Sequence, residues 1–228
     1  MAINASKIQG GGKDRVEQPV LDAGVYPGRL VQVTDLGLQA QQPYQGQEKA
    51  PANEINLTYE LVDTFMVDEE GNDVEDKPRW VSEKIPLHNI KADRAKSTQR
   101  YLALDPDMLF GGDFAKVVDI PVNITIVQNK RADRTYANVA GIAAMRPKDA
   151  QKCPPLQNEV KTFDLDEPDL AVFNDLPDWL KEKIKSNLNF QGSKLANLLG
   201  GVKEEKPAAK KPAKEAPVEQ DDDQDKPW

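Results

Sequence analysis

Histidine and cysteine are nearly absent from this sequence, which has one of each, His88 and Cys153. That scarcity excludes a zinc site built from Cys and His ligands, a disulfide framework, and a Cys–His nucleophile pair with its own cysteine network. A Ser–His–Asp arrangement would have to use His88 alone, and no G-x-S-x-G turn is present; His88 reads as a structural or surface residue. A lone cysteine suits a reducing compartment and gives no support for secretion. No apolar run approaches the ~20 residues needed to cross a bilayer. The opening MAINASKIQGGGKDR lacks the apolar segment of a signal peptide. Hydrophobic residues are 39% of the 228 and charged ones 30%, which is lean enough in apolar groups that part of the chain should be unfolded. What the sequence lacks thus describes a soluble cytoplasmic protein that binds rather than catalyses, with no metal and no cofactor.

Three zones follow from composition. Residues 1–23 are rich in glycine, polar groups and charge and read as a flexible N-terminal arm. Residues 24–150 carry alternating apolar patterns, up to a break at Cys153-Pro154-Pro155. Residues 151–201 hold a smaller apolar set, expected to form a helical extension that packs on the middle zone or on a partner. Residues 202–228 have too few apolar groups to offset their chain entropy and read as a disordered acidic tail.

The middle zone has a definite order of elements. Strands are expected at Val25–Leu36, at Asn53–Phe65 with Ile55, Leu57, Tyr59 and Leu61 on one face, and around Arg79–Leu87. A helix over Ala92–Leu104 ends at Asp105-Pro106. Strands at Lys116–Gln128 and Thr135–Met145 close the zone. Three strands, a helix and two strands is the order of an OB-fold, a five-stranded barrel, mainly β, with the helix between strands three and four plugging an open end. Beyond it, Pro177 opens a helix with Trp179, Leu180, Ile184 and Leu188 at helical spacing, read as a satellite core. Ser193 caps a short last helix.

Such barrels bind single strands or sugars on the face of strands two and three and between two loops. The first loop here holds Tyr44 and Lys49 among glutamines, with Tyr44 expected to be exposed. The second holds Lys130, Arg131 and Arg134, followed by Tyr136. Arg79 and Trp80 stand on strand three and Arg29 on strand one. Cations track phosphates and aromatic rings stack on any base, so Arg29, Tyr44, Lys49, Arg79, Trp80, Lys130, Arg131, Arg134 and Tyr136 are the candidate nucleic-acid-binding residues. NKRADR also reads as a soluble hairpin turn whose charge discourages edge pairing, and Trp80 also reads as core. Charge argues the other way: residues 1–150 hold 18 Lys+Arg against 22 Asp+Glu, whereas binding through counterion release favours a basic excess.

The chain closes on EQDDDQDKPW. An acidic tail is commonly only solubilising, but a Pro-aromatic ending suits a partner with an apolar pocket inside a basic rim. With Asp221, Asp222, Asp223, Pro227 and Trp228 the chain resembles bacterial and bacteriophage single-stranded-DNA-binding proteins, which join an OB-fold to an acidic tail ending in an aromatic residue. GVYPGRLVQVTDLG and FNDLPDWLKEKIKSNL are similar to phage members of that class. Gln224, Asp225, Lys226 and Trp in place of Phe depart from the usual ending. The resemblance implies non-catalytic, sequence-tolerant binding of single-stranded DNA in phage DNA replication or recombination, in the host cytoplasm if viral. The tail would recruit replication or recombination proteins; no membrane is implied, and a homo-oligomer stays open. The alternative is a structural or scaffolding module for protein interaction, with a solubilising tail.

Overall fold

The computed structural model describes residues 16–43 and 45–200; Tyr44 and the tail residues Asp221, Asp222, Asp223, Asp225, Pro227 and Trp228 lie outside them. The fold is mainly β. Five strands, β1 (Gly24–Gln39), β2 (Ala52–Val67), β3 (Asp73–Pro86), β4 (Pro121–Arg131) and β5 (Arg134–Ala144), form an antiparallel sheet in the order β3-β2-β1-β4-β5. A short β6 (Lys161–Phe163) joins β1 in parallel at Gln32–Thr34.

β1 organises the sheet because it changes partners along its length. Gly24–Arg29 pair with β4, whereas Gly28–Gln39 pair with β2, with register shifts at Leu30/Gln32 and Asp35/Gly37 that bend the strand. At the changeover Gly28 faces both Leu61 and Val122. A Cβ there would come within 2.5 Å of Ile124 Cδ1 and 2.6 Å of the Glu60 carbonyl, so only glycine lets the strands cross. Where β4 leaves the edge of β1, β6 takes its place.

The inner face buries Leu30, Leu57, Tyr59, Leu61, Ile85, Val122, Ile124 and Ile126, as the strand alternation requires. Among the described residues no ladder joins β3 to β5, so the sheet is not closed as a barrel. Helix α1 (Lys96–Leu104) lies against both of these edge strands instead. Its buried Arg100 bonds the β3 residue Glu83 through Nε at 2.6 Å and Nη2 at 3.1 Å, and Nη2 also donates to the Ala140 carbonyl of β5 at 3.0 Å. Lys96 Nζ reaches Glu83 at 2.8 Å and the Tyr59 hydroxyl donates to it at 3.3 Å. Burial first, and then the Glu83 charge, push that hydroxyl well above its ordinary value.

Element boundaries depart from expectation where local bonds compete. α1 starts at Lys96 rather than Ala92, because Asn89–Ala95 fold into turns in which Asn89 Oδ1 accepts from Lys91 N. β4 starts at Pro121 rather than Lys116: Asp113 caps a 3-10 turn over Phe114–Lys116, and Asp119 sits at φ 61°. Residues 16–23, grouped by sequence with the loose arm, are packed: Leu21 enters the core and the Gln18 amide bonds both N and O of Val67.

After a short helix α2 (Pro147–Ala150), the chain crosses the outer face of the sheet and adds helices α3 (Leu170–Asp175), α4 (Asp178–Lys185) and α5 (Lys194–Leu198). Phe163, Phe173, Leu176, Leu180, Ile184 and Leu195 form a second core whose one buried member from the five-stranded sheet is Leu36. Trp179, read with this core from its spacing, is instead 51% exposed.

Candidate nucleic-acid interface

The β4–β5 hairpin turns through Ala132 and Asp133, with Ala132 in the left-handed region at φ 48°. Its register sets Arg131 directly across from Arg134, Lys130 from Thr135, and Asn129 from Tyr136. Period-two alternation then puts Arg131, Arg134, Asn129 and Tyr136 on one face and Lys130 on the other. All three cations are exposed, and among the described residues none enters a salt bridge. Tyr136 is 46% exposed beside them. Two guanidinium groups directly opposite each other repel, and an anion bridging them would relieve that repulsion.

At mid-sheet, Arg29, Glu60 and Trp80 stand in one register row across β1, β2 and β3, and so share the outer face. Their roles differ. Arg29 donates to the carbonyls of Pro154 (2.7 Å), Asp119 (2.6 Å) and Cys153 (3.0 Å) and to Asp119 Oδ1 (3.0 Å). Its guanidinium is used to tie the Cys153-Pro154 segment to β1. Arg79 alternates to the other face, donates to the Pro19 carbonyl at 2.7 Å, and is drawn below its ordinary value by burial. Both arginines hold chain segments in place. Trp80 differs: its indole N–H is pinned to Glu60 Oε2 at 3.1 Å while 41% of the residue stays exposed. Glu60 also accepts from Gln157 N (2.7 Å) and Asn158 Nδ2 (2.6 Å).

No protein-family model matches the chain, and no curated protein matches it either. What it can do is therefore read from its own residues.

Lys49 is exposed in the β1–β2 loop, beyond the Gln39–Ala52 end of β1, whereas the hairpin tip lies beyond the Gly24 end. The eight described candidates thus do not form one patch. Four gather on the hairpin, Arg29 and Trp80 share a row, and Arg79 and Lys49 stand apart. The face of β2, expected to be open, is largely covered. Glu54, Asn56, Thr58 and Glu60 point outward yet are buried, as are Gln32 and Thr34 of β1. Residues 154–190 cover this side through the Glu60 bonds, the β6 pairing, and bonds between Leu38 and Asn187–Leu188.

A cleft of about 360 Å³ stays open on this side between β3 and α4, lined by Gln32, Thr58, Trp80, Ser82, Pro177 and Trp179. Lys161 also borders it, ion-paired with Asp175, whose carboxyl is held below its ordinary value first by the hydrogen bond from Lys161 and then by the lysine charge. Sequence reasoning missed Trp179. Leu180 and Ile184 mark the buried stripe of α4, and Trp179 and Lys183, four apart, flank that stripe. That offset is the signal that identifies it. Among the described residues no helix is long and apolar enough to cross a membrane.

Proposed function

We propose that this protein binds single-stranded DNA without catalysis and with little sequence preference, in replication or recombination, and that its acidic tail recruits partner proteins. The observation that carries the reading is the β4–β5 hairpin: two arginines face each other in register, a lysine is adjacent, and an exposed tyrosine stands on the arginine face. Cations that repel one another unless an anion lies between them, next to a ring able to stack on a base, suit a polyanion whose bases are unpaired. The fold supports the same reading. Strand order β3-β2-β1-β4-β5 with a helix between β3 and β4 is the order of an OB barrel opened at the β3–β5 seam. The tail belongs to this reading through its sequence alone.

The test is titration of oligo-dT at several salt concentrations. Affinity should fall with salt by about 0.7 in log–log slope for each phosphate neutralised. Replacing Lys130, Arg131 and Arg134 together by Ala should cut affinity alike for dT and mixed-sequence strands and lower that slope by about 2. A salt-independent titration would count against phosphate binding altogether. An unchanged slope in the triple variant would remove the hairpin from the interface.

A further inference from the structure

We infer that α4 supplies half of a nucleotide-binding slot: one base lies between Trp80 and Trp179, and its phosphate lies against Lys84 and Lys183. This rests on the single-strand reading above and assigns it residues that the loops of the sheet do not contain.

Two independent contacts fix how β3 and α4 run beside each other. At one end Trp80 of β3 and Trp179 of α4 border the same cleft. At the other, Lys84 of β3 and Lys183 of α4 both approach Glu54 Oε2, at 3.7 and 3.4 Å. Trp80, Ser82 and Lys84 alternate onto the outer face of β3, a span of ~13 Å. Trp179 and Lys183 are one turn apart on α4, ~6 Å along the axis. The two elements therefore lead from two rings that line the cleft to two ammonium groups beyond it, ~6 Å away along α4 and ~13 Å away along β3.

The chemistry changes along that path in the way a nucleotide requires. The ring end carries no net charge, because its one cation, Lys161, is paired with Asp175. Hydroxyl and amide groups of Thr58, Ser82 and Gln32 line it, between two exposed indoles. Trp80 is held ready by its bond to Glu60. The lysine end is positive, with two ammonium groups sharing one carboxylate. Glu54 Oε2 is buried and has no hydrogen-bond partner among the described residues, while Oε1 takes the Gln41 amide at 2.9 Å. Two ammonium groups thus share one carboxylate, which leaves this end with an excess of one positive charge. The cleft volume of about 360 Å³ falls within the range of pockets that enclose small ring ligands, roughly 300–1,000 Å³.

The experiment uses the full chain and oligo-dT. Trp179→Ala should weaken binding by about ten-fold or more, the scale of one lost stacking contact, and Trp179→Phe should restore most of it. Because Trp179 is half exposed, both variants should melt close to the parent. Glu54→Gln frees both lysines and should tighten binding at low salt and steepen the salt slope. If the parent binds oligo-dT but Trp179→Ala binds equally well, or Glu54→Gln binds more weakly, the slot is wrong and the wider reading stands. If the parent does not bind oligo-dT, both fall.

Discussion

Arg100 does at the scale of one residue what a hydrogen-bonded ladder would do at the scale of a strand. It is buried, it bonds both oxygens of Glu83 on β3, and it reaches a carbonyl of β5. Removing it leaves a buried carboxylate with Lys96 and a tyrosine hydroxyl as its remaining partners and unties the two edge strands. Breaking a buried pair in this way costs about 3–5 kcal/mol, and Lys96 places the expected loss for Arg100→Leu at the low end, about 3 kcal/mol. Urea unfolding of parent and variant measures it; a loss under about 1 kcal/mol would mean that the seam is held by something else. Arg100→Lys should recover little, since one ammonium cannot span the fork. Arg100 also marks the limit of reading residues from sequence. Arginine in an expected helix, arginine in an expected strand (Arg29, Arg79) and arginine in a turn (Arg131, Arg134) look alike in composition. Only three-dimensional neighbours separate those whose donors are consumed from those left exposed. Hydrophobic positions were far more legible: Leu57, Tyr59, Leu61, Val122, Ile124 and Ile126 alternate in sequence and are buried as that alternation demands.

At the scale of elements, the hairpin combines a well-specified register with a strained turn. Ala132 holds φ 48°, a region that costs a residue with a Cβ about 1 kcal/mol or more and that glycine adopts freely. Two-residue hairpin loops with a positive φ at the first position favour glycine there. Ala132→Gly should therefore raise stability by about 0.5–1 kcal/mol while leaving oligo-dT affinity near the parent's, because no cation moves. A fall in thermal midpoint would show that the methyl group is packed rather than strained. The five strands were legible in their chain order, most plainly β2 and β4, where apolar residues alternate with a period of two. Their ends were not. The start of β3 at Asp73 lies in an acidic stretch that reads as a turn, and it pairs with Met66–Val67 only beyond an irregularity in register. The missing β3–β5 ladder was equally hidden, since closure depends on how two edges far apart in sequence meet and no local pattern encodes that.

For the whole molecule, the difficulty is its sign. A chain of net charge −8 repels a polyanion at long range, so the proposed binding requires local concentration of positive charge. The structure offers two such places, the hairpin tip and the Lys84–Lys183 end of the groove, while acidic groups such as Glu60 and Glu83 are buried against donors. Residues 154–190 both cover the polar outer face and build one wall of the remaining cleft. Sequence could suggest that this segment lies along the sheet, but not that it leaves one tryptophan standing over another element. The acidic tail supplies much of the unfavourable field: Glu219–Trp228 holds five acids and one lysine, so its removal halves the net charge to −4. Screening confines that field to about 10 Å at 0.1 M salt, so the tail acts on bound strands only when it lies near the cationic sites. Deleting Glu219–Trp228 should tighten oligo-dT binding at low salt, with the advantage shrinking as salt rises, and should abolish the capture of replication or recombination partners proposed for the full chain. If deletion instead weakened binding strongly, the tail would be part of the strand-binding surface, and competition between tail and strand would be ruled out.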